Sequence, residues 1–310
     1  MSATSLQAHV DDYLRLRRGL GFKLERAGQI LPQLVSYLEA AGANTVTREL
    51  AISWAKLPAS ARPQHWASRL AIARGFAAYL QTIDPASEVP PTGVFAVRYQ
   101  RPTPYLWTEL DIRRLLFAAG TLTPPLKAAS YRALFGLLAV TGMRVGEAVG
   151  LRRDDVDLDA GVITIREQIA KLEKARLVPL HPTTIDALDR YASERDRLCP
   201  TPRSTRYFLS SIGSALTRSE VAKTLRKLTT TLGLRTATVH PVAHQLRHTF
   251  AVRTLVGWQQ SGVPIDERIV LLSTYLGHVS PAETYWYQTA TPELMGLAAD
   301  RLDQRFGARS

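Results

Sequence analysis

Along roughly the first eighty residues, apolar positions recur at helical spacing, and each run of them stops at a residue that breaks helices. The pattern predicts a helix over 5–18, stopped by Gly19 and Gly21, and a second over 23–41, which Pro32 is expected to kink and Gly42 to end. A short third helix, over 47–56, opens on a threonine cap. The fourth, over 63–81, is apolar at Leu70, Ile72, Phe76 and Leu80 and is closed by Asp84-Pro85. Residues 1–85 therefore read as a small helical domain. Between 86 and 104 the sequence ASEVPPTGVFAVRYQRPTP is rich in proline and breaks all periodicity, so it is expected to be a linker.

Residues 105–310 show two periods. Thr108 to Asp111 reads as a cap for a helix through Ala119, and an apolar helix over 130–140 is broken by Gly142 before a helix restarts toward Leu151. Val156 to Leu158 and Val162 to Arg166 alternate as strands should, about a turn at Asp159-Ala160-Gly161, and a third strand is expected over 175–180. Helices follow over 183–198 and from a Thr217/Glu220 capping box through Leu232. Pro241 stands before a further helix over AHQLRHTFAVRTLVGW, Ser280-Pro281-Ala282-Glu283 opens a short one, and Thr291-Pro292-Glu293 caps a last one to about Arg305. The fold class expected is mainly α with a small antiparallel β-sheet, in two domains.

Charge adds a partner to this picture. The 310 residues carry a net +12, and both parts contribute: 11 Lys+Arg against 7 Asp+Glu in residues 1–100, and 28 against 20 in the rest. A polyanion fits such a surface, although solubility alone also accounts for it. Arg15, Arg17, Arg18, Lys23 and Arg26 cluster across the first helix junction, Arg98 and Arg101 lie along the linker, and Lys223, Arg226 and Lys227 form a stripe on one helix. Each set is a candidate for phosphate contacts or a solvated basic face. No run approaches the eighteen uninterrupted apolar residues of a membrane span, the amino terminus lacks a signal-peptide pattern, and the lone Cys199 cannot form an internal disulfide. A cytoplasmic, nucleoid-associated protein with no membrane partner is expected.

The candidate chemistry lies between His244 and Tyr287. His244, Arg247 and His248 sit at i, i+3 and i+4 and share one face of the expected helix, His278 follows Gly277 in a turn, and Tyr285, Trp286 and Tyr287 lie on the short helix beyond. An arginine that can hold phosphate oxygens bidentately, imidazoles that can move protons and a tyrosine suggest phosphoryl transfer without metal or other cofactor. The competing zinc site, H-x-x-x-H on a helix, is disfavoured because Gln245 stands where a metalloprotease uses Glu and Arg247 would place a cation beside the metal.

H-Q-L-R-H, then L-G-H, then Tyr287 nine residues after His278, resembles the carboxy-terminal signature of tyrosine recombinases, the phage integrase and Xer class. T-G-M-R-V-G-E at 141–147 matches that family's first catalytic box, and A-K-L-E-K-A-R-L-V-P-L at 170–180 follows its G-K-x-x-K-x-R-x-V-P-L pattern with Ala170 in place of Gly. The resemblance implies a SAM-like helical core-binding domain that clamps DNA, hinted at by L-R-R-G-L-G-F, and a mixed α/β catalytic domain. It assigns Arg144, Arg247 and His278 to the phosphate, His244 to proton transfer, Lys171 to the leaving 5′ oxygen with Lys174 as the alternative lysine, and Tyr287 as nucleophile. Glu147 and His248 would support that shell. Double-stranded DNA is the implied partner, bound by a homotetramer or mixed recombinase assembly, with cleavage through a 3′-phosphotyrosine. The phrase YWYQTATPELM resembles transposon-borne members, which implies integration or transposition of a mobile element. A type IB-like topoisomerase and a DNA-binding regulator with a vestigial site remain the alternatives. Tyr285 and Tyr287 lie about 200° apart on a helix, so only one can face the phosphate.

Overall fold

The computed structural model describes residues 5–96, 104–167, 169, 175–278, 280 and 282–289. It divides into two compact units, Met1–Arg101 and Pro102–Ser310.

The first unit is four helices, α1 (Leu6–Gly19), α2 (Glu25–Ala40), α3 (Arg48–Lys56) and α4 (Pro63–Leu80). Their starts are local chemistry. The Ser5 and Thr47 hydroxyls accept from the backbone N–H groups of Ala8 and Leu50, and Pro63 opens α4 where its missing N–H costs nothing. Pro32 is accommodated inside α2. Leu31, Leu34 and Leu38 of α2, Trp54 of α3 and Leu70, Phe76 and Leu80 of α4 are fully buried together, each such side chain contributing about 1.5–3 kcal/mol.

Part of the expected linker is folded onto this unit. Glu88 bonds to Val46 through its backbone and to the Arg48 N–H through its carboxylate. The carbonyls of Pro90 and Pro91 accept from Arg74 at 2.9 and 2.8 Å, and Phe95 packs beside Trp66. Prolines end periodicity in a sequence, but their carbonyls remain acceptors that a neighbouring arginine can hold. Residues 86–95 of the stretch expected to be linker thus lie within the first compact unit. Arg98 and Arg101 lie outside the described residues.

In the second unit, α5 (Glu109–Gly120), opened by the Thr108/Asp111 capping box, packs on α6 (Pro125–Thr141). α6 also lies against α8 (Pro182–Leu198) and α10 (His244–Gln260), which explains why it is apolar on nearly every side. After α6 come the short α7 (Val145–Gly150) and the antiparallel sheet β1 (Val156–Asp157), β2 (Val162–Ile165) and β3 (Arg176–Pro179), in that order. Ile163 pairs with Val178 and Ile165 with Arg176, which sends Ile163, Ile165 and Val178 into the core. α9 (Arg218–Thr231) follows α8, again opened by a capping box. The chain after α10 forms α11 (Ile265–Leu276) and α12 (Ala282–Thr289). No element was expected between Trp258 and Gly277, although Gly262, in the left-handed region, and Pro264 mark the break that precedes α11. The final helix expected after Thr291 lies outside the described residues. Among the described residues no helix is long and apolar enough to cross a membrane.

Candidate active site

Two glycine turns build the site. α6 ends at Gly142 with φ 62°, and a Cβ there would come within 2.6 Å of the Phe250 ring, so both backbone and space demand glycine. The chain restarts with Arg144 as the cap of α7, and the Glu147 carboxylate reaches back to the Arg144 backbone N–H at 2.9 Å and to its guanidinium at 3.0 Å. The second turn, at the end of α11, is Gly277 with φ 66°. A Cβ at Gly277 would lie 2.8 Å from the Arg176 guanidinium.

The carboxy-terminal end of α11 leaves carbonyls without helical partners, at the negative end of its dipole. Three arginines from three different segments donate to them. Arg247 Nη2 donates to the Leu276 carbonyl at 2.7 Å while its Nη1 donates to that of Gly142 at 2.9 Å. Arg144 donates to the carbonyl of Gly277 at 2.9 Å, and Arg176 Nε to that of Tyr275 at 2.9 Å. Arg176 also grips Glu147 through both terminal nitrogens, at 3.2 and 2.8 Å. Burial works to raise the Glu147 carboxyl, but the hydrogen bonds and charge of Arg176, then those of Arg144, outweigh it and hold the carboxyl below its ordinary range. Three guanidiniums around one carboxylate leave an excess of positive charge, which is the electrostatic requirement for a phosphate.

Arg247 is only 1% exposed, and its Nε has no hydrogen-bond partner among the described residues. Burial, then the neighbouring Arg144, pushes its pKa down to about 10, which still leaves it charged at pH 7. His278 follows the Gly277 turn with its N–H on the Ser273 carbonyl and its Nδ1 2.7 Å from Thr284 Oγ1. Burial, then Arg247, Arg144, His244 and Arg176, pushes this imidazole down to about 3, so it is neutral at pH 7. The Tyr287 ring is stacked on that of His278 at 6.1 Å and meets His248 edge-on at 5.3 Å, while His248 meets His244 at 4.5 Å. Tyr287 is 3% exposed and packs among Ala251, Val252, Leu255, Leu272 and Leu276, whereas Tyr285 is 43% exposed. Burial raises the Tyr287 hydroxyl, and the charge and hydrogen bond of Arg247 oppose that rise.

One pH effect follows. The folded His278 refuses a proton that the unfolded chain accepts near 6.5, so stability is undiminished above that pH and falls as pH drops from about 6.5 toward 3. His278→Gln is expected to flatten this limb of a urea-unfolding series. An unchanged slope between the two proteins would remove His278 from the buried set.

The phage integrase family model matches residues 107–293. An integrase/recombinase of Sinorhizobium fredii, y4rB, is 42% identical over 97% of this chain and 98% of its own length. The chain belongs to the phage integrase family. It is thus a tyrosine recombinase, an enzyme of the class that breaks and rejoins DNA strands. The XerD recombinase of Lacticaseibacillus casei is 36% identical over 58% of this recombinase and 56% of its own chain. The Tn1549 transposon integrase, solved with transposon right-end DNA, shares the fold at a TM-score of 0.64 and 16% identity, covering 96% of this recombinase and 99% of that chain.

Of the residues assigned from sequence, Arg144, Glu147, His244, Arg247, His248, His278 and Tyr287 converge on the α11 terminus and the adjoining faces of α10 and α12. Lys171 and Lys174 lie outside the described residues. Arg15, Arg18 and Lys23 are exposed, Arg15 pairing with Asp12, while Arg17 lies over the Phe22 ring at 4.0 Å. Lys223, Arg226 and Lys227 are exposed on α9, opposite its buried Val221, Leu225 and Leu228. Arg176 and Thr284 were missed. Arg176 stood in the quoted K-x-R-x-V-P-L pattern without a role, and its grip on Glu147 and Tyr275 depends on packing between distant segments. Among the described residues no group of His, Cys, Asp or Glu is arranged to hold a metal ion.

Proposed function

We propose that this recombinase cuts double-stranded DNA by attack of Tyr287 Oη on a backbone phosphorus, forming a 3′-phosphotyrosine and releasing a 5′ hydroxyl. The observation that carries the proposal is the placement of Tyr287 against Arg247, His278 and His248 while Tyr285 faces solvent. A tyrosine of ordinary pKa near 10 is a poor nucleophile at pH 7, and burial makes this one worse until a phosphate and a base are at hand. In the step proposed, the Tyr287 proton passes to His244, the new P–O bond forms, and the P–O5′ bond breaks as Lys171 protonates the leaving oxygen. Arg144, Arg247 and His278 bind the non-bridging oxygens as charge gathers on them. Religation by a 5′ hydroxyl from another strand reverses the step, and the phosphotyrosine bond conserves the energy needed.

The helical domain at the amino end would grip the duplex through Arg15, Arg17, Arg18 and Lys23, with Arg98, Arg101 and Lys174 tracking the backbone and the stripe of Lys223, Arg226 and Lys227 lying against DNA. The resemblance to a transposon integrase supports integration or transposition of a mobile element, for which the recombinase would act as a DNA-bound tetramer or mixed assembly.

Charge neutralisation and proton transfer are assigned here to side chains alone. Covalent adduct formation on a nicked suicide duplex is therefore expected to proceed at an unchanged rate in excess EDTA. Loss of the adduct, restored by added zinc, would overturn the proposal.

A further inference from the structure

His278 is neutral and has one ring N–H, so its usefulness to an anion depends on which nitrogen holds that proton. If Nδ1 held it, Nε2 would turn a lone pair toward the phosphate. Thr284 Oγ1 lies 2.7 Å from Nδ1, and Thr284 is fully buried, at 0% exposure. On the other side of the ring, Nε2 has the half-exposed Glu283 carboxylate 3.9 Å away, beyond hydrogen-bond reach, and its negative charge favours a proton on Nε2 through its field alone. The remaining charged groups that face the ring are Arg144 at the start of α7, Arg176 on β3 and Arg247 on α10, and the titratable neighbours are His244 and Tyr287. Thr284 and Tyr287 are three residues apart on α12 and share the face that is buried.

We propose that the Thr284 hydroxyl donates to Nδ1 of His278 and holds the ring proton on Nε2, so that His278 is ready as a hydrogen-bond donor to the phosphate only while α12 is seated. Thr284 is then a positioning residue that ties the state of the phosphate clamp to the docking of the helix that brings the nucleophile. This rests on the role given above to His278. The arrangement has a protective logic, since a clamp completed only with the tyrosine in place binds the reacting phosphate most strongly when attack is possible.

The test uses the full chain with 15N-labelled histidine, the His278 ring signals being assigned by their loss in His278→Gln. In the unsubstituted protein Nδ1 is expected to give the signal of a ring nitrogen without hydrogen and Nε2 that of an N–H. Thr284→Ser should keep both this pattern and the rate of adduct formation on a suicide duplex. Thr284→Val should mix the tautomers and slow adduct formation roughly 10- to 100-fold, the range found when metal-ligating histidines lose the partner that orients them, with duplex affinity unchanged. A proton on Nδ1 in the unsubstituted protein, or an unmixed tautomer and full rate in Thr284→Val, would overturn the proposal. The tautomer can be read equally in Tyr287→Phe, so failure of the phosphotyrosine step is distinguishable from failure of this inference.

Discussion

Tyr287→Phe is expected to abolish the covalent protein–DNA adduct while leaving duplex affinity unchanged. Only the hydroxyl is removed. The ring keeps its stack on His278 and its place among Leu272, Leu276 and Leu255, so the fold should lose only about 1.5–3 kcal/mol, the worth of one hydrogen bond to a charged group, here Arg247. Tyr285→Phe should form the adduct at the normal rate, because Tyr285 is 43% exposed and stands about 200° around α12 from Tyr287. Denaturing gel electrophoresis after incubation with a suicide duplex separates the outcomes. An adduct in Tyr287→Phe, or its loss in Tyr285→Phe, would mean that α12 presents a different face to DNA.

The second large effect is expected at Arg247. Its guanidinium joins α10 to the Gly142 turn and to the end of α11, and it is the most buried of the three cations. Arg247→Gln should slow adduct formation by about 10²–10³ or more, as expected when a preorganised donor to a developing oxyanion is lost. It should also destabilise the fold, because each buried carbonyl left bare costs about 1–3 kcal/mol. Arg247→Lys keeps the charge but not the fork that spans both carbonyls, so it should recover part of the stability and little of the rate. Single-turnover cleavage and urea unfolding, measured on the same preparations, report the two losses separately. Full rate in Arg247→Gln would remove this guanidinium from the phosphate.

The elements were legible where chemistry is local. Thr47, Thr108 and Thr217 cap helices because their hydroxyls serve N–H groups three residues on, a relation contained in the sequence itself. The candidate site was legible in part for the same reason, since His244, Arg247 and His248 share a face by helical spacing alone. What the sequence could not show was the assembly of distant segments. Nothing local says that Arg176 on β3 will hold both Glu147 on α7 and the Tyr275 carbonyl on α11, or that the carbonyls at the end of α11 are what hold three mutually repelling arginines together. The stretch after residue 85 has the same character: prolines erase a repeat, yet Arg74 on α4 finds the carbonyls of Pro90 and Pro91.

One side-chain oxygen must hold the cleaved DNA. Proteolysis of the adduct trapped on a nicked duplex, followed by tandem mass spectrometry of the nucleotide-bearing peptide, identifies it directly. A nucleotide joined through phosphate to Tyr287 is the expected result; a nucleotide on Tyr285, on Tyr275 or on any serine would contradict it.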